Sequence, residues 1–171
     1  MFKWIKALFS HKKSVTVPRP TLCVIDDDGF VHCMIQKYFP NYDIRCMYRL
    51  PSDEAELGIL KTYDVLIVDC QGIGNNLYHD GQQFLAKFYD RPMYQKVIYF
   101  SGLEPDPVFE TILTDKGMRW HVKGGDPMGL VTMVQNYSVI HPNRVIRPPV
   151  DHVKIMKKMK EQHGHHKRRR R

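Results

Sequence analysis

Residues 21–28 read Thr-Leu-Cys-Val-Ile-Asp-Asp-Asp, a short apolar run that stops on three consecutive acids. Five apolar residues with β-branched members are too few for a buried helix and have the make-up of a strand. Four more runs of this kind follow, at 42–47, 64–68, 96–100 and 118–122. Their near-continuous hydrophobicity, in place of strict alternation, predicts strands covered on both faces, as in a parallel sheet. Helix-length segments separate them, at 29–39, 52–61, 80–89, 106–116 and 127–137. Ser52 reads as the N-cap of the second helix, without a capping box because Ala55 stands three residues on. Asp106 before Pro107 puts a proline at the first helical position of the fourth. Alternating strands and helices predict an α/β fold, a doubly wound, five-stranded parallel sheet with right-handed crossovers.

In such sheets ligands bind beyond the carboxyl ends of the strands. Polar residues stand there: Asp26, Asp27 and Asp28 after the first run, Asp69 after the third, Ser101 after the fourth and Lys123 after the fifth. The second run, the expected edge strand, contributes least. Carboxylates gathered from separate strands repel one another, and a cation removes the conflict. Oxygen ligands with no Cys or His nearby favour a hard ion, and two carboxylates with retained waters suit Mg2+ better than Ca2+ or Zn2+. An ammonium and a hydroxyl facing a carboxylate offer what a phosphoryl group needs, positive charge and donors for its oxygens. An aspartate can itself be the covalent acceptor.

These residues resemble the CheY-like receiver domain, the phospho-accepting module of bacterial response regulators, over about residues 20–140. Asp26 and Asp27 in LCVIDDD match the acid pair, and Asp69 in YDVLIVDC the phosphorylated aspartate. Ser101 in VIYFSG matches the switch hydroxyl and Lys123 the invariant lysine. The resemblance implies a flavodoxin-like sheet and Mg2+ bound by Asp26, Asp27, Asp69 and the backbone carbonyl of Gln71. It also implies phosphate on Asp69, stabilised by Ser101 and Lys123, and a rotameric switch aromatic at Trp120. The donor would be a histidine kinase or a phosphotransfer protein, and output would pass to a downstream protein partner. No enzymatic activity is implied beyond phosphoryl acceptance and autodephosphorylation. The sequence departs from the family in two places. The segment 70–79 is lengthened, so that Asp80-Gly81 arrives late, and Gly124 with Gly125 follows Lys123 where the family has a proline, leaving the lysine less constrained.

Two other readings share part of the pattern. Asp26-Asp27-Asp28-Gly29 is similar to the motif of haloacid-dehalogenase-like phosphatases, with Asp26 as nucleophile and Asp28 as acid/base, but that family gives Asp69 no role. The other is a binding module that keeps the receiver fold and has stopped using phosphate.

Composition places this organisation in context. The chain has 171 residues, 43 % of them hydrophobic, with a formal net charge of +8. That length supports one compact core without disulfides. The charge is segregated: +5 over residues 1–20, +7 over 151–171, and therefore −4 over 21–150. Attraction to polyanions belongs to the two ends and not to the fold. Residues 1–20 are expected as a basic extension with an amphipathic start, 21–140 as the domain, and 141–171 as a proline-containing linker and basic tail. Residues 154–171 would contact nucleic acid or another anionic surface. The four cysteines form no C-x-x-C pair and read as reduced core residues of a cytoplasmic protein. No run approaches the ~18 apolar residues of a membrane span, and no signal-peptide pattern opens the chain.

Overall fold

The computed structural model describes residues 19–87 and 92–136. Its strands are β1 (Thr21–Ile25), β2 (Asp43–Met47), β3 (Val65–Val68), β4 (Lys96–Ser101) and β5 (Arg119–Val122). The helices are α1 (Gly29–Tyr38), α2 (Glu54–Leu60), α3 (Gly81–Lys87), α4 (Pro107–Asp115) and α5 (Pro127–Asn136). Elements alternate strictly, and the five strands form one sheet in the order β2-β1-β3-β4-β5, every pair parallel. This is the expected doubly wound sheet, with β2 at an edge. Residues 1–18 of the N-terminal extension, with its expected amphipathic start, and the whole C-terminal extension, with the expected anionic-surface contact of residues 154–171, lie outside the described residues, as do the predicted helix ends at 88–89 and 137.

Strand side chains alternate between two separate cores. Leu22, Val24, Val65, Ile67, Ile98 and Phe100 pack with Val31, Ile35 and Phe39 of the α1 segment and with Leu130, Val131 and Val134 of α5. Cys23, Ile25, Leu66, Val68, Val97 and Tyr99 pack with Leu60, Phe84, Leu85, Phe109 and Leu113 of α2, α3 and α4. The central strands are thus apolar at successive positions because both faces are covered. Each such aliphatic side chain contributes ~1.5–3 kcal/mol on burial.

Caps set where the helices begin, and so where the loops after the strands end. Asp28 accepts from Phe30 N at the start of α1, and Asp106, followed by Pro107 as expected, accepts from Val108 N and Phe109 N at the start of α4. The expectation for α2 is corrected. Its N-cap is Asp53, which accepts from Glu56 N, while the Glu56 carboxylate reaches back to Ser52 N and Ser52 Oγ at 2.7 and 2.9 Å. The reciprocal pair exists, shifted by one residue, because the longer Glu56 side chain can span to the residue before the cap. The cysteines are free, but only Cys23 is core; Cys33 is exposed and Cys46 and Cys70 are half-buried. Cys33 faces water because α1 presents that side to solvent.

Register positions the site. Ile25 pairs with Val68, so Asp26 and Asp69 leave the sheet side by side, held by Asp69 N donating to Ile25 O and Asp26 N to Met47 O. Ser101 pairs with Val122, and Lys123, one step on, donates its backbone N–H to Ser101 O at 2.6 Å.

Candidate functional site

The site is built at the carboxyl edge of β1, β3, β4 and β5. Asp26 is fully buried, and Asp69 and Ser101 are only 6 % and 5 % exposed. Asp27 is exposed at the rim. One oxygen from each of Asp26, Asp27 and Asp69 lies within 4.8 Å of the others. Lys123 bridges the two buried acids, its Nζ 2.8 Å from Asp26 Oδ2 and 2.9 Å from Asp69 Oδ2. The second oxygen of each acid is held by backbone: Asp26 Oδ1 accepts from Asp28 N and Asp69 Oδ1 from Cys70 N. Lys123 is therefore well placed despite the following glycines. Gly124 takes the left-handed region at φ +81°, where a turn can be made without a proline, and the Lys123 ammonium also lies 5.7 Å from the centre of the Phe100 ring.

Electrostatics follow from this packing. Burial pushes the Asp69 carboxyl above its ordinary value; the Lys123 hydrogen bond opposes that push and the Asp26 charge adds to it. Burial works against the charge on Lys123, but its bonds to Asp26 and Asp69 prevail and raise its pKa. Three carboxylates against one ammonium leave the site net negative, the condition under which a divalent cation is welcome. The donors the three acids offer are all oxygens, the ligand type a hard divalent ion takes. Backbone makes room for the outermost one: Gly72 has φ +75°, and a Cβ there would meet Asp27 Oδ2 at 2.0 Å. These donors fit Mg2+. Gln71 lies between Cys70 and Gly72 in the same loop, with its side chain exposed.

One premise is corrected here, since a cysteine does lie close to the acids. Cys70 follows Asp69 directly, but it is half-buried and burial raises its pKa, which disfavours the thiolate that a soft ligand would need. Ser101 Oγ also accepts from Leu103 N at 3.3 Å, at the start of the loop to α4. Trp120 is half-buried against the α2/α3/α4 core, and its indole N–H donates to Glu110 Oε1 at 3.3 Å. The structure thus gathers Asp26, Asp27, Asp69, Ser101 and Lys123 at one edge and sets Trp120 to the side.

The lengthened loop after β3 is ordered by a residue that the sequence did not single out. Asn75 donates through Nδ2 to Leu50 O and Pro51 O and accepts at Oδ1 from Leu77 N and Tyr78 N. Asn between Gly and Asn was the available signal for a side chain closing its own turn. Asp28, by contrast, has a structural role as the α1 cap. The phosphatase reading gives Lys123 a place but still leaves Asp69, which Lys123 bridges to Asp26, without a role.

Among solved structures the fold recurs in response-regulator receiver domains. The BeF3-activated receiver domain of DrrB, a response regulator of Thermotoga maritima, is 15 % identical, with a TM-score of 0.55 over 70 % of this chain and 97 % of its own. The CheY-like receiver domain protein of Methanospirillum hungatei is 15 % identical, with a TM-score of 0.54 over 70 % and 93 %. Chemotaxis protein CheY4 of Vibrio cholerae is 19 % identical, with a TM-score of 0.52 over 70 % and 99 %. No protein-family model and no curated protein sequence matches the chain. The fold is therefore that of CheY-like receivers. Among the described residues no helix is long and apolar enough to cross a membrane.

Proposed function

We propose that this chain is a receiver that accepts a phosphoryl group on Asp69 in a Mg2+-dependent phosphorelay and signals through protein binding. The observation that carries the reading is the Lys123 ammonium bridging Asp26 and Asp69 beside an exposed third acid. Asp26, Asp27, Asp69 and the Gln71 carbonyl would hold Mg2+, which supplies positive charge to the transferred oxygens. A carboxylate oxygen of Asp69 forms the new O–P bond as the P–N bond of a donor phosphohistidine breaks, and the released imidazole takes up a proton. Lys123 and Ser101 then stabilise the phosphoryl oxygens.

The donor is a histidine kinase or phosphotransfer protein, and the recipient of the signal is a protein that reads the face formed by α4 and β5. Ser101 drawn toward the phosphoryl group leaves Leu103 N, and Trp120 repacks against α4. Each change biases a two-state element and does not create a new one. In a Trp4→Phe background Trp120 is the only tryptophan. Its fluorescence is expected to change on adding acetyl phosphate with Mg2+, and to stay silent without Mg2+ or with Asp69→Asn. An equal response from Asp69→Asn would refute the assignment.

A further inference from the structure

The edge that carries the acids also gathers exposed apolar side chains. Among the described residues, six of the nine exposed large apolar side chains stand on loops or first helical turns that follow the carboxyl ends of strands. Phe30, Leu103, Val108 and Met128 are 55–75 % exposed. Three of these are put there by one device. Asp28, Asp106 and Asp126 each accept the backbone N–H two residues on, that of Phe30, Val108 and Met128, at 2.8, 3.0 and 2.9 Å. Such a cap fixes the first turn and leaves the next apolar side chain bare at the helix tip. Phe30 and Met128 stand on α1 and α5, which share one face of the sheet, and Val108 stands on α4, on the other, with Leu103 in the loop before it. Apolar groups thus flank the Asp26, Asp27 and Asp69 centre from both faces.

A surface that is apolar at its margins and net negative at its centre fits an occupant that is apolar, basic and free of acids. The chain itself carries one. Residues 1–13 hold Phe2, Trp4, Ile5, Leu8 and Phe9 with four lysines and no acid. Residues 151–171 match in charge but contain no aromatic residue to anchor on an apolar margin. Reach is sufficient, because residues 10–18 can span up to about 30 Å, against the roughly 17 Å that β1 takes from the amino to the carboxyl edge. A short tether also gives an effective concentration on the order of millimolar, so modest contacts suffice. We propose that residues 1–13 dock across the carboxyl edge of their own chain, aromatic side chains on Phe30, Leu103, Val108 and Met128 and lysines toward the acids. Seated there, the segment covers Asp69 and competes with a donor protein for the same edge. That consequence rests on the receiver reading, whereas the docking itself does not.

The test uses the full chain with Trp120→Phe, which leaves Trp4 as the only tryptophan, and follows its quenching by acrylamide. Trp4 is expected to be shielded to the same degree at every protein concentration. Phe30→Ser with Leu103→Ser, both at exposed positions and outside the core, is expected to open Trp4 to the quencher several-fold. High salt should act in the same direction by screening the lysines. In the chain that keeps Trp120, trypsin cleavage after Lys3 and Lys6, read by intact mass, is expected to run several-fold faster with the two rim substitutions than without them. Equal quenching and equal cleavage in parent and rim variant overturn the docking. Shielding that rises with protein concentration gives the edge to a second copy, and a Trp4 that stays open until vesicles of anionic lipid are added gives the segment to a membrane surface. Either result overturns docking within one chain. No phosphoryl donor enters the test, so its result and that of the receiver reading are separate.

Discussion

Asp69 is held between opposing influences: desolvation and the neighbouring Asp26 charge push its pKa up, and Lys123 pulls it down, with a net rise above the ordinary 3.8. A folded-state pKa above the unfolded value means that the folded chain binds this proton more tightly, so ionised Asp69 opposes folding at neutral pH. That handicap is fully present above the folded pKa and fades as pH falls through it toward 3.8. Asp69→Asn is therefore expected to stabilise the domain at pH 7 by roughly 1 kcal/mol, as relief of strain at a functional site commonly does, since Lys123 keeps Asp26 at 2.8 Å. The gain should vanish below pH 3.8. Urea denaturation of both chains at pH 7 and pH 3.5 measures it, and a less stable Asn variant at pH 7 would contradict the electrostatic account.

At the scale of elements, the strands and the acids, hydroxyl and lysine at their ends were legible in the sequence because parallel topology forces two local regularities. Central strands must be apolar on both faces, and functional side chains must follow their carboxyl ends. What was not legible depends on contacts between separate segments. Gly72 looks like any loop glycine until the β1 and β3 ends are brought together and Asp27 fills the space where its Cβ would stand. Asn75 joins the loop after β3 to Leu50 and Pro51, residues that only the fold makes neighbours. The Asp53 cap was missed because Ser52, an equally good capping type, stands one residue earlier. Gly72→Ala would meet both a positive φ and the Asp27 carboxylate, and it is expected to lower Mg2+ affinity at least several-fold by displacing that ligand. Calorimetric Mg2+ titration reads this directly, and an unchanged affinity would remove Asp27 from the proposed ligand set.

Over the whole molecule, charge and topology divide the work between the domain and its ends. The basic pI describes the extensions, while residues 21–150 carry −4, and three of their acids, Asp26, Asp27 and Asp69, meet at the carboxyl edge of the sheet. In the proposed function, that acidic edge with its bridging lysine would attract a divalent cation and, through it, a phosphoryl group. The fold is shared with receiver domains at 12–19 % identity, and in this chain strand order and register fix which residues meet at that edge. The Tyr99 hydroxyl was not legible beforehand, since an aromatic residue inside an apolar run reads as core until its oxygen is seen to accept from Gln82. The most direct measurement is the intact mass of the full chain after incubation with acetyl phosphate, with and without Mg2+, beside Asp69→Asn. The account predicts a gain of one phosphate that needs Mg2+ and is absent from the variant. No gain in the parent chain, or an equal gain in Asp69→Asn, would contradict it.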